Sequence, residues 1–415
     1  MQFSSELDGG EISRDGGGGD NERIDSRHRR TKMSPRVLIV CPQVFPTPHS
    51  GVGMRGHFQA MHLSRRWPVT LLTETGIYEV ENGVFKLRCG KQTPQASNGA
   101  AYLRSLLHKS HYLFEKYNCR RWLVPNRRDY THIIIHYPAL LPLASGRRGT
   151  ESKVILDTHN NEREYYESVA DQAHGRVKRS VIRAQATVSE RIVRQCGREI
   201  DATVSVSQGD RDWVAGLCGP QVKHFVVPNN LFTYDPTRWT GRRTILYVGS
   251  LNVNMNLQAL EWFTENVWPR LRQLHPDVEF VVAGRNPAAL LIEHLQGQGI
   301  KVVPNAPSLR RLYADALCSV IPASSGSGGK IKVGEALAHG VPVLTTPSGL
   351  VGQPAPIKGC CIVRDEPGSW VDVIGQLLSG TQRTSREWDA KVRAVLQETS
   401  FSSSLEQVAQ YIEQS

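Results

Sequence analysis

The densest run of chemistry-bearing residues in this chain lies between Ile321 and Pro342. An apolar stretch, Ser319–Ile321, reads as a strand and empties into a loop of small residues, Ser324–Gly329. A helix follows, and Gly340 with Pro342 would stop it as a C-cap and a breaker do. Small residues let backbone N–H groups come close to a ligand, and a helix start adds the positive end of its dipole. Lys330 and Lys332 bring full positive charges to the same spot. Together these features describe a cradle for a diphosphate. Glu335, three residues beyond Lys332, falls near the same helix face. A carboxylate there can accept both hydrogen bonds of a ribose diol. A Gly-rich surface loop with a solvated Lys–Glu pair would use the same residue types, and the window alone leaves both readings open.

Two further groups stand in the first half. Asp157-Thr-His159-Asn160-Asn161-Glu162 ends the strand-like run Val154–Leu156. A histidine after a parallel strand faces the ligand side of a sheet, where it can meet a sugar hydroxyl or an acceptor proton. Gly51-Val-Gly53-Met-Arg55-Gly56 spells Gly-x-Gly-x-x-Gly, and Glu74 ends the next strand-like run. That is the dinucleotide fingerprint on paper, yet it is misplaced. Its first glycine should make the turn at the strand end, whereas Pro42, Pro46 and Pro48 lie between Cys41 and Gly51. An NAD-dependent dehydrogenase is therefore the weakest alternative. Arg55 would place a charge at the helix start, toward the cleft. His132 and His136 flank Ile133–Ile135 in a strand, which does not give the spacing of a zinc pair, and no metal site is expected.

The elements that must carry these groups alternate. In the first half, strand-like runs are Val37–Cys41, Val69–Thr73, Ile133–Ile135, Val154–Leu156, Thr203–Val206 and Phe225–Val227, with helical periodicity at Met54–Leu63 and Arg176–Cys196. The pattern restarts with Thr244–Val248, and Leu257 to Leu274 form one stripe of a single long helix. Phe280–Ala283, Lys301–Val303, Ser319–Ile321, Pro342–Thr345 and Cys361–Val363 follow as strands. Such alternation predicts two α/β halves with parallel sheets, meeting near Pro228–Trp239 and enclosing a cleft. Arg104–Arg128, basic with interleaved aromatics, reads as an amphipathic helix with a solvated basic face; contact with an anionic membrane is the alternative. The segments Ser385–Gln397 and Ser403–Gln414 read as two closing helices, each with a serine cap.

Composition sets the outer bounds. The 415 residues exceed one ordinary core, and 40% apolar with 21% charged residues is usual for a globular protein. A net charge of +11 favours an anionic partner, but no nucleic-acid module accompanies it. No apolar run reaches the ~18 residues of a membrane span, and residues 1–33 lack the apolar centre of a secretory signal. Those residues are Gly-, Asp- and Arg-rich and read as disordered, with Met33 a candidate native start. Eight cysteines without a Cys-x-x-Cys pair read as buried free thiols in a reducing, cytoplasmic setting.

Gly326–Gly352, with Glu335-Ala-Leu-Ala-His-Gly-Val-Pro-Val343, resembles the donor-site signature of glycosyltransferase family 4. Ile245-Leu-Tyr-Val-Gly249-Ser250, Asn256 to Pro269, Val282-Ala-Gly-Arg285-Asn-Pro287 and Leu309-Arg-Arg-Leu-Tyr-Ala-Asp-Ala-Leu317 resemble the same family's C-terminal domain. The resemblance implies a GT-B fold, two Rossmann-like domains facing across a cleft. Residues 34–235 would form the acceptor domain and 236–384 the nucleotide-sugar domain, with helices of 385–415 returning to the first. It implies a retaining transferase acting on a nucleoside-diphosphate sugar and an acceptor hydroxyl, without metal or cofactor. Arg285, Lys330 and His159 would serve catalysis. Gly51, Gly53, Arg55, Gly249, Ser250, Ser327, Gly329, Ile331, Lys332 and Glu335 would bind substrate. The family commonly has a second glutamate eight residues before Glu335; here Ser327 stands there, and the chain resembles a branch with Gly/Ser-rich donor loops. A nucleotide-sugar epimerase or phosphorylase on the same plan, and a non-catalytic sugar-nucleotide binder, remain the alternatives.

Overall fold

The computed structural model describes residues 34–42, 51–90, 95–144, 151–173, 175–324, 329–380 and 383–415. The expectations for residues 1–33 and for Ser327 lie outside the described residues. The chain builds two sheets. The first holds β1 (Val37–Val40), β2 (Val69–Thr73), β3 (Gly76–Glu81), β4 (Val84–Gly90), β5 (His132–His136), β6 (Lys153–Thr158), β7 (Ala202–Ser205) and β8 (Lys223–Val226). Their order is β4-β3-β2-β1-β5-β6-β7-β8, parallel from β2 to β8. Strands β1 and β5 are buried along their whole length, as expected for parallel strands covered on both faces.

The second sheet holds β9 (Thr244–Ser250), β10 (Glu279–Arg285), β11 (Lys301–Pro304), β12 (Ala316–Ile321), β13 (Val343–Thr345) and β14 (Ile362–Val363). It is parallel throughout, in the order β11-β10-β9-β12-β13-β14. This is the doubly wound Rossmann order, whose switch point lies between β9 and β12. A ligand belongs outside the carboxyl ends of those strands, where Gly249, Ser250 and the loop after Ile321 are found.

Four local readings change. The antiparallel hairpin β3–β4 extends the first sheet, and the sequence signal for it was Asn82-Gly83. Both residues have positive φ, 49° and 78°, the requirement of a two-residue hairpin turn. The stripe Leu257–Leu274 is two helices, Asn254–Asn266 and Trp268–Leu274. Pro269 has no N–H to continue the first and restricts the residue before it. Arg104–Arg128 is no single helix. It is broken into Asn98–His108, Tyr112–Lys116 and two 3₁₀ turns by left-handed Lys109 and Asn118. Tyr112, Phe114, Tyr117 and Trp122 are buried there, not presented to solvent. Finally, the last helix, Phe401–Gln414, is capped by Ser400, whose Oγ accepts from Ser403 N, and not by Ser403.

The two closing helices divide between the sheets. Val392 and Leu396 of Arg386–Glu398 join the second sheet's core beside Leu246 and Val333. Phe401, Leu405, Val408 and Ile412 pack under the first sheet with Val37, Ile39, Leu71 and Ile155. Asn230 ties the crossing: its Nδ2 donates to Thr399 Oγ1, and its carbonyl accepts from Phe401 N at 2.8 Å. All eight cysteines are free; Cys89 on β4 is exposed, against the expectation of burial. No helix among the described residues is long and apolar enough to cross a membrane.

Leu405 is fully buried against the first sheet. Leu405→Ala is expected to cost about 2–5 kcal/mol, read as a lowered urea midpoint followed by far-ultraviolet circular dichroism.

Candidate active site

A cavity of about 420 Å³ opens where the carboxyl ends of the strands meet. Tyr137 after β5, His159 and Asn160 after β6, and Met54 of the helix Gly51–Leu63 line one wall. The ends of β9 and β10, Val248–Ser250 and Ala283–Arg285, with Gly329–Lys332 and Glu335, line the other.

The cationic wall is built by close backbone approach. A Cβ on Gly284 would sit 2.2 Å from the Gly249 carbonyl oxygen, so the two strand ends touch only because that position is glycine. Leu251 N donates to Arg285 O, and Asn286, left-handed at φ 50°, donates its N–H to Asn305 Oδ1. That turn holds Arg285 at the cavity edge. Its Nη1 is buried with no hydrogen-bond partner, a donor left for an acceptor from outside. The helix Ile331–Ala338 starts directly after Lys330, and Gly340 at φ 69° closes it, as expected.

Both lysines are held by the protein. Lys330 Nζ donates to Ser348 O at 2.9 Å, and Lys332 Nζ donates to Asn256 Oδ1 at 3.1 Å while lying over the Tyr247 ring. Burial pushes each down to about 8, and Lys330 adds to the effect on Lys332 by repulsion. Burial also raises Glu335 to about 7, opposed by the neighbouring Tyr313 hydroxyl and the Arg285 charge. A site that lowers two lysines toward neutral pH is set up for an anion, which stabilises their protonated form.

The other wall is neutral. His159 is 5% exposed and stacks on Tyr137 with ring centroids 4.5 Å apart. Tyr137 has φ 70°, a conformation costing about 1–3 kcal/mol that is retained where surroundings over-determine it. Here its N–H is fixed by Asp157 O at 3.0 Å, and Pro138 follows. Burial drives the His159 imidazole well below its usual range, and His136 and Arg55 push the same way.

The structure thus brings together His159, Gly249, Ser250, Arg285, Gly329, Lys330, Ile331, Lys332 and Glu335. Gly51 and Gly53 fall in the first helical turn, and Gly53 is not among the described residues that line the cavity. Arg55 departs from expectation: it is fully buried, donates to Asp157, Val227 O and Asn229 Oδ1, and lies over the Phe401 ring. A carboxylate and a carbonyl inside the fold take the charge that the sequence assigned to the cleft. Glu74 is buried and accepts from Gln95, so it is not presented as a ribose ligand. Tyr137, Asn229 and Asn256 are additions. The signal for Asn256 was its place early in the helix after β9; Tyr137 and Asn229 had none. His136, Asp157 and His159 also place potential metal-ligating atoms within 4.8 Å of one another, although the strand spacing of the histidines gave no hint of it. Asp157 there is already paired with Arg55, and both His136 nitrogens have hydrogen-bond partners.

Comparison with known proteins agrees with this layout. Residues 242–380 match the sequence profile of the family described as Glycosyl transferases group 1. An uncharacterized 44.6 kDa protein in the cps region of Klebsiella pneumoniae is 21% identical over 48% of this chain. The matched part spans about half of that protein's length, 52%. The crystal structure of WaaG, a glycosyltransferase involved in lipopolysaccharide biosynthesis, is similar over 91% of this chain and 99% of its own, with 14% identity and a TM-score of 0.60. A UDP-forming α,α-trehalose-phosphate synthase from Burkholderia xenovorans, in complex with glucose-6-phosphate, covers 91% of this chain and 100% of its own, with 11% identity and a TM-score of 0.62. At these identities the likeness establishes the fold, which is GT-B.

The lysine values give a pH dependence with a defined sign. A diphosphate would be held by the protonated lysines, so their contribution to its affinity is present below pH 8 and falls as pH rises through about 8. Calorimetric titration with UDP, whose phosphates keep their charge above about pH 7, is expected to show a loss of about tenfold per pH unit for each lysine involved.

Proposed function

We propose that this protein is a retaining, metal-independent glycosyltransferase that moves a hexose from a nucleoside-diphosphate sugar to an acceptor hydroxyl. The observation that carries the reading is the single cavity wall on which Arg285, Lys330, Lys332 and Glu335 converge, with a guanidinium nitrogen unpartnered. The family match falls on the residues that build this wall, and the fold neighbours named above are a glycosyltransferase and a UDP-forming synthase.

In this reading Glu335 takes the ribose diol and the three cations take the diphosphate. The bond between the anomeric carbon and the β-phosphate oxygen breaks, and its electron pair goes to that oxygen. Arg285 and Lys330 stabilise the charge that develops there, an electrostatic contribution. The acceptor oxygen bonds to the anomeric carbon from the same face, and its proton passes to the departing phosphate. Among the described residues lining the cavity, no second carboxylate is placed for a covalent route of the glycosidase kind. The acceptor is a glycan, a lipid-linked sugar or a natural-product hydroxyl, and the setting is cytoplasmic.

Peripheral contact with an anionic membrane belongs to the same proposal. It rests on the helix Asn98–His108, where Leu103, Leu106 and Leu107 are exposed beside Arg104 and Lys109. Co-sedimentation with phosphatidylglycerol vesicles is expected, and lost in Leu103→Asp/Leu107→Asp; equal binding by both proteins would remove this part.

A melting-temperature screen of UDP, GDP, TDP and ADP with their common sugars identifies the donor, because a ligand of the native state raises the midpoint. With that donor, Arg285→Ala and Lys330→Ala are each expected to lower turnover by about 10²–10³-fold. Near-normal activity in both would refute the diphosphate assignment. Donor binding without turnover on any acceptor would instead favour a non-catalytic binder, the reading motivated by Ser327.

A further inference from the structure

Asp157 stands at the head of a hydrogen-bonded chain that ends at His159. Its Oδ1 accepts from Arg55 Nε at 2.8 Å and its Oδ2 accepts from Gln59 Nε2 at 3.0 Å. A carboxylate paired with a guanidinium only accepts, so the Gln59 amide must turn its nitrogen to Asp157 and its oxygen away. That oxygen lies 2.9 Å from His136 Nε2. An amide oxygen also only accepts, so His136 Nε2 carries the proton. Burial pushes His136 down to about 4, which leaves the ring neutral and its Nδ1 a lone pair. His136 Nδ1 lies 2.8 Å from His159 Nε2, so the latter nitrogen carries the proton in turn. What remains on a neutral His159 is Nδ1, an acceptor.

The chain is buried throughout. Arg55, Gln59, His136 and Asp157 are each 0% exposed. Water therefore does not compete for these bonds, and each link constrains the next. The face of the His159 ring is covered by Tyr137, which opposes rotation of the ring out of its bond to His136. The arrangement differs from a hydrolase triad in one respect that matters. There a carboxylate orients the histidine and stabilises its imidazolium; here a neutral imidazole and an amide stand between the carboxylate and the working ring, and Arg55 opposes any added proton.

We propose that Gln59 and His136 are positioning residues that hold His159 in its Nε2–H tautomer, so that His159 accepts a hydrogen bond from a sugar hydroxyl through Nδ1 and does not serve as a base. The identity of the hydroxyl rests on the glycosyl-transfer reading above; the tautomer does not.

The groups facing His136 are Arg55 and Gln59 from the helix Gly51–Leu63, Asp157 and His159 from β6 and the loop after it, and Cys41 after β1, whose thiol burial pushes far upward. Gln59→Glu returns an acceptor oxygen to His136 but adds a negative charge, which favours the imidazolium. Protonated His136 has no lone pair, so His159 Nε2 would have to accept and its Nδ1 would carry the proton. Activity of this variant is therefore expected to fall as pH falls along a further acid limb, added to the one that Glu335, raised to about 7, gives both proteins.

The test uses the full chain labelled with ¹⁵N-histidine, long-range ¹H–¹⁵N spectra, and assignment through His136→Asn and His159→Gln. Both rings are expected as Nε2–H at pH 7 in the native protein, and as mixed tautomers in Gln59→Leu. With UDP-glucose, or its GDP, TDP or ADP counterpart from the melting screen, Gln59→Leu is expected to lower kcat about tenfold, the scale of one hydrogen bond, with donor KM within about twofold. A native His159 found as Nδ1–H overturns the proposal, and so does a Gln59→Leu variant that changes KM alone. The expected tautomers with no turnover of any donor would refute the transferase reading while leaving the tautomer assignment intact.

Discussion

The pair formed by Arg55 and Asp157 at 2.8 Å holds four parts of the molecule at one point. Arg55 comes from the first helix and Asp157 from β6; Val227 and Asn229, which also accept from Arg55, belong to the connection between the sheets. Phe401, under the guanidinium, begins the returning C-terminal helix. Both charges are fully buried. Such a pair adds little net stability, but losing either partner leaves an uncompensated buried charge, which is strongly destabilising. The interaction therefore acts as a constraint on geometry: the cleft has its shape while these four segments converge.

Everything on the neutral wall follows from that constraint. Asp157 orients Gln59, Gln59 orients His136, and His136 orients His159. Tyr137 carries a strained backbone beside them because Asp157 O takes its N–H. The opposite wall works differently. Its cations are placed by strand ends and a helix start, and the contact between β9 and β10 depends on the absence of a side chain at Gly284. One wall is preorganised by hydrogen bonds that exclude charge, the other by backbone geometry that concentrates it. A diphosphate leaving group and a sugar would find these two environments on opposite sides of the same 420 Å³ space.

Buried lysines near pH 8 and a buried glutamate near pH 7 bear on this division. In the free protein the cationic wall is near the point of losing charge, because desolvation opposes ionisation. An arriving diphosphate would reverse that balance. The binding energy and the protonation state of the wall are therefore coupled, while the histidines opposite are kept neutral over the same range.

Local information was enough for much of this architecture. The parallel strands, the restart near Thr244, and the helix after Lys330 that carries Lys332 and Glu335 and is closed by Gly340 all lie in short windows where periodicity and turn chemistry are decisive; Arg285 was joined to them only by the family resemblance. Long-range contacts settled the rest. Arg55 reads as a cleft cation from its helix start, yet turns inward because Asp157, 102 positions away, lies within reach. His136 reads as an ordinary strand residue, and only the alignment of β5 with β6 sets it against His159. The aromatics of Arg104–Arg128 are drawn into the core once Lys109 and Asn118 break the helix. A sequence specifies which groups are available and how each local segment bends. Which carboxylate a buried cation meets, and which tautomer a histidine keeps, depend on low-dielectric contacts between distant segments, and those exist only in the folded chain.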